Sequence, residues 1–140
     1  MTTRYNGGEV TIDLAGIRVE SGFADGEFCR IEKDTDSITD VVGTDGEVAA
    51  SETNDNRHTI TLLVMQTSDA NDELSALAEL GLAGAGPLYV RDRNGRARYE
   101  DNRAWVMKPP DVSFDRSATA REWKIRSPNL RRTDGGNSNV

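Results

Sequence analysis

Three kinds of residue in this 140-residue chain could do chemistry: one histidine, one cysteine and a long run of carboxylates. A nucleophilic site needs a base of tunable proton affinity, and His58 is the single candidate. It opens the alternating stretch RHTITLLVMQTS, where a structural histidine at a strand edge fits better than a catalytic one. Cys29 alternates with Phe28 in FADGEFCRIEKD and reads as a small buried hydrophobe. A lone cysteine also rules out an internal disulfide and a multi-cysteine metal site. The acids of DTDSITDVVGTDGEVAASETNDN, from Asp34 to Asn56, invite a calcium reading. An EF-hand counted from Asp34 has Asp36 in third place, but Ile38 and Thr39 stand where an oxygen ligand and the glycine turn belong, so the motif fails. A looser set drawn from Asp34, Asp36, Asp40 and Asp45 competes with a plain solvated loop. AGAGP, Ala83 to Pro87, follows a helix instead of opening one and cannot cradle phosphate in the usual way. The expectation is a protein with no catalytic residue, no metal and no cofactor.

Charge narrows the partners. Residues 1–90 hold 5 basic and 17 acidic side chains, net −12, whereas residues 91–140 hold 12 and 7, net +5. Two such regions could attract copies of the chain head to tail, the kind of contact that builds rings and filaments; an unevenly charged solvated surface is the competing reading. Arginines from Arg91 to Arg103 and from Arg116 to Arg132 suit phosphate, but they alternate with acids in RDRNGRARYED, aromatics are 6%, and the sequence pI is about 4.7. Nucleic-acid binding is disfavoured. No apolar run approaches the roughly eighteen residues of a membrane span, and Met1 to Gly8 lacks a signal peptide's apolar stretch, so a soluble chain made in a cytoplasm is expected.

The elements that would hold these residues are mostly strands. EVTIDLAGIRVESGF alternates, breaks at Ala15-Gly16 and resumes, which predicts a hairpin. A third strand follows from about Glu27 to Lys33, after an Asp25-Gly26 turn. RHTITLLVMQTS predicts a strand apolar on both faces. Ser68 then precedes DANDELSALAEL, whose apolar spacing, acidic first turn and following Gly81 predict one helix over about 69–80. Asn94-Gly95 should turn PLYVRD into RARYED; RAWVMK, DVSFD and TAREWKIRSP read as further strands, and RRTDGGNSNV, 131–140, as a mobile tail. About eight or nine strands with one helix predict a mainly β fold, two packed antiparallel sheets in a sandwich or barrel, as a single domain over 1–140 with a long extended loop over about 34–57.

GFADGEF, GTDGEVA, ITLLVMQTS leading into NDELSAL, AWVMKPPDVSFDR and REWKIRSPNL, in this order and spacing, resemble the small tail tube proteins of contractile-tailed bacteriophages. The resemblance runs from about Val10 to Leu130 and implies a fold shared with the tube protein of type VI secretion. It implies a virion structural protein assembled in the host cytoplasm. Six copies would form a ring through their sheet edges, and rings would stack into a hollow tube around the tape measure protein. A tail sheath would wrap the tube, baseplate and tail terminator proteins would meet its ends, and DNA would pass through without specific binding. On this reading the 34–57 loop, with its apolar islands, becomes an arm reaching a neighbouring copy, in part a hairpin about Asp45-Gly46. Its contact candidates are Asp34, Asp36, Ile38, Val41, Val42, Asp45 and Val48, with Arg126, Arg131 and Arg132 outside it. Asp13, Glu20 and Glu32 are the candidates for an acidic lining of the bore. A β-rich binding module or calcium-dependent adaptor on a phage or cell surface is the alternative.

Overall fold

Alternating apolar residues give most strands one face to bury, and the chain closes those faces on one another. The computed structural model describes residues 10–19, 22–23, 26–92, 95–117 and 119–135. β1 (Val10–Leu14) and β2 (Ile17–Val19) form the expected hairpin. Ala15 and Gly16 turn it at φ of 51° and 88°, the left-handed pair that a two-residue hairpin loop requires. After β3 (Cys29–Lys33) come β4 (Ile38–Val42) and β5 (Val48–Glu52), then β6 (His58–Met65), α1 (Ala70–Leu80) and a 3-10 turn over Gly81–Gly84. β7 (Gly86–Asp92), β8 (Arg98–Lys108), β9 (Ala120–Ser127) and β10 (Arg131–Thr133) follow.

Eight of these strands make one antiparallel sheet in the order β2-β1-β7-β8-β9-β6-β3, with β10 also against β8. β8 folds that sheet in two. Its first part, Arg98 to Ala104, pairs with β7, and its last, Trp105 to Lys108, pairs with β9. Two layers therefore share one strand: β2, β1, β7 and β10 belong to the first, and β9, β6 and β3 to the second. Ile12, Leu14, Leu88 and Val90 of the first layer and Ile60, Leu62, Val64, Trp123 and Ile125 of the second fill the core, each buried. Each such aliphatic side chain contributes about 1.5–3 kcal/mol by leaving water. α1 lies against β8 and β2 and plants Leu74 in the same core. Its Asn71 ties helix to sheet, with Nδ2 donating to the carbonyls of Met65 (2.9 Å) and Ser68 (3.1 Å) and Oδ1 accepting from Trp123 Nε1 at 3.0 Å. Gly86 sits where β7 bulges beside the first hairpin, and a Cβ there would lie 2.7 Å from that of Ala15.

Several expectations change. RARYED and RAWVMK join in one eleven-residue strand, β8, because Asp101 at the end of the first is buried rather than turned out to solvent. Its Oδ2 accepts from Ser127 Oγ at 2.5 Å and Asn129 N at 3.0 Å, and its Oδ1 from Arg103 N at 3.1 Å. Pro128 breaks the edge opposite, having no N–H to give, and Asp101 carries the pairing across that gap. The register survives it: Arg126 faces Trp105 and Arg131 faces Glu100. Arg131–Thr133, expected in a mobile tail, is thus a paired strand. DVSFD forms no strand, whereas the hairpin expected about Asp45-Gly46 within the extended loop is present as β4–β5. Asp25 of the second expected turn, Asn94 of the third and Glu20 lie outside the described residues. The acidic and basic parts interleave, since strands of residues 1–90 flank β8 and β9 on both sides.

Candidate assembly surfaces

The two residues best placed to do chemistry are spoken for by the fold. His58 is fully buried; its Nδ1 lies 2.9 Å from the Asn56 carbonyl and its Nε2 3.3 Å from Arg132 Nη1. A guanidinium only donates, so Nε2 accepts and Nδ1 carries the proton. Nε2 ties β6 to β10 through Arg132, and Nδ1 is used on the backbone just before β6. Burial pushes the Cys29 thiol up to about 12, so a thiolate nucleophile is disfavoured there. Among the described residues, no group of three or more His, Cys, Asp or Glu side chains could hold a metal ion.

The arm is built differently. From Asp36 to Asn54 every residue is exposed, and β4 and β5 pair only with each other, as a separate two-stranded sheet. Its turn spans Gly43 to Glu47: Gly43 N donates to Glu47 O at 2.7 Å, Asp45 Oδ1 accepts from Glu47 N at 3.1 Å, and Gly46 takes φ of 84°. Val42 faces Val48 beside that turn, and both are about two-thirds exposed, as is Val41. Ile38 is 58% exposed. Asp36 stands at the base of the arm and Asp45 at its tip. An isolated two-stranded hairpin is marginal in water, and bare valines at its end gain nothing from solvent.

Ion pairs fasten the base of the arm to the body. Asp34 pairs with Arg126 of β9 and accepts from Thr59 Oγ1 at 2.7 Å, and those bonds hold its carboxyl below the usual range. Arg57, through its side chain and then its backbone N–H, does the same to Asp55. The structure thus joins two contact candidates, Asp34 and Arg126, to each other. Arg131 is likewise engaged within the chain, 3.6 Å from Glu100, and Arg132 binds Asp134 at 2.9 Å while lying over the Tyr99 ring.

The candidates for the bore separate. Asp13 lies on the outward face of the first layer, 3.3 Å from Arg18, and Glu32 on that of the second, 3.4 Å from Arg30. Two outward faces of one sandwich point away from each other, so one lumen cannot take both. Nor is either face acidic: Arg18, Arg91, Arg98 and Arg131 outnumber Asp13 and Glu100 on the first, and Arg30, Lys124 and Arg126 outnumber Glu32 and Glu122 on the second. Arginines 91, 96 and 98 form no ion pair among the described residues, although RDRNGRAR suggests paired charges. In a strand, neighbouring residues point to opposite faces.

This architecture recurs in proteins of contractile injection systems. The anti-feeding prophage tube-terminating cap superimposes with a TM-score of 0.60 at 10% identity, covering 95% of this chain and 93% of that one. The sheath/tube terminator of an extracellular contractile injection system gives 0.56 at 10% identity, with 89% and 93% covered. In sequence, structural protein ORF10 of Pseudomonas phage KPP10 is 27% identical over 99% of this chain and 86% of its own length. The family model described as the bacteriophage PhiTE tail tube protein matches residues 9–133, every strand of the sandwich and all of the arm, and the chain therefore belongs to that phage tail tube family.

Proposed function

We propose that this tail tube protein acts as a repeating subunit of a hollow conduit. Copies close into rings, six to a ring, and the rings stack around the tape measure protein until DNA passes through. A contractile sheath wraps the outside, and baseplate and terminator proteins hold the ends. The arm is the observation that carries this reading: a monomer has no use for nineteen consecutive exposed residues ending in a cluster of valines. A neighbouring copy that covers the tip makes the hairpin stable.

Negative-stain microscopy of the purified protein, over a range of protein and salt concentrations, tests the proposal. Rings or tubes are the expected result. Monomers under every condition overturn it.

A further inference from the structure

Arg91, Arg96 and Arg98 line a cleft of about 360 Å³ with Gly95, Ala97 and Thr133 at the turn end of β7 and β8. Arg91 and Arg98 are directly opposed across the ladder, exposed, and without an ion pair among the described residues. Like charges in that position destabilise a sheet. A cross-strand pair of this kind fits a surface that receives an anion from outside.

The molecule also carries a matching surface. Residues paired across an antiparallel ladder share a face. One face of the arm therefore presents Val42 with Val48 at the tip and Asp40 and Glu52 behind them, while the other presents Thr39, Val41, Ala49 and Ser51 and no charge. Between Asp36 and Asn54 there are five acids and no base. Asp40, Asp45, Glu47 and Glu52 form no ion pair among the described residues.

We infer that the arginine cleft is the dock for the arm of a second copy, with Asp40 and Glu52 meeting Arg91 and Arg98. Lateral contact within a ring follows from where the two surfaces sit. The arm leaves the body after Lys33, which pairs with His58; His58 touches Arg132, and the next residue, Thr133, pairs with Arg98. Arm base and cleft thus occupy one end of the sandwich. Side-by-side copies hold those ends level, so each arm reaches across to its neighbour's cleft. The apolar tip then lies along the arginine stems, whose methylene groups can cover it. This dock rests on the ring-forming role proposed above.

Charge reversal tests it in the full chain. Arg91→Glu with Arg98→Glu should abolish rings, as should Asp40→Lys with Glu52→Lys, each with a far-ultraviolet spectrum and melting temperature near those of the unaltered protein. Mixing the two variants, or combining all four changes in one chain, should restore rings. If the unaltered protein makes rings and both double variants still do, or if the combination fails to rescue, the dock is wrong while the tube stands. If the unaltered protein makes none, the tube reading itself fails. Duplex DNA binding that disappears in the arginine variant while rings persist would assign the cleft to phosphate and overturn the dock.

Discussion

The sandwich and the arm are both antiparallel β structure with complete ladders, yet they differ in what keeps them. In β6, Ile60, Leu62 and Val64 are fully buried and their partners lie on β3 and β9. In β4 and β5, Ile38, Val41, Val42 and Val48 are all more than half exposed. Hydrogen bonds alone contribute little net stability, because water offers the unfolded strand the same bonds. The comparison teaches that apolar residues in one short chain can be divided between a core that holds the subunit together and an arm that leaves them exposed.

That division can be broken at its largest seam by deleting Thr39 to Ser51. The body should keep its spectrum and cooperative melt, and ring or tube formation should fall to nothing by microscopy and sedimentation. Tubes of normal length from the deletion would show the arm to be dispensable. A paired substitution sharpens the contrast. Leu62→Ala should cost the monomer about 2–5 kcal/mol in denaturant unfolding, whereas Val42→Ala should change it by no more than about 0.5 kcal/mol and still weaken assembly. Equal losses of monomer stability would mean that the arm packs on its own body.

The smallest expected effect is at the joint between the two regions. Because Arg126 and Thr59 hold the Asp34 carboxyl low, the tether is at full strength above the ordinary carboxylate value of about 4 and is lost as pH falls through the lower folded value. Protection of the Asp34 amide, which donates to Arg57 O at 3.0 Å, should drop by no more than about fivefold over that fall once corrected for intrinsic exchange. Asp34→Asn should remove the pH dependence. A drop of the same size in that variant would point to another group.

Much of the sandwich was legible because its local signals agree with its burial. Alternation and a left-handed turn gave the first hairpin, and acids at the start with Gly81 at the end gave α1 to within a residue. The misses share a cause, which is that partners distant in sequence changed what a residue type meant. Asp101 looks like a turn residue in RYEDNRAW, but Ser127 and Asn129 give a buried carboxylate its donors, and the strand runs on through it. Asn71 looks like ordinary helix-start polarity until Trp123 is placed beside it. The arginine cleft was hidden because alternation with aspartate in sequence becomes separation across a strand. The arm's apolar islands were visible, but its strands lack a buried face, and so the period-two signal that marks the others is weak there.

The shared strand β8 has a consequence for the order in which the protein can be made. A ribosome delivers β1, β2, β3 and β6 first, and these end up on opposite flanks of the sheet with β7, β8 and β9 between them. Until that central meander has been synthesised, the early strands can form only their local hairpins, β1 with β2 and β3 with β6. The arm, closed by pairs from Val42 with Val48 out to Ile38 with Glu52, needs none of this and can form on the order of microseconds. The arm is therefore synthesised before β7, β8 and β10, the strands that carry the arginine cleft.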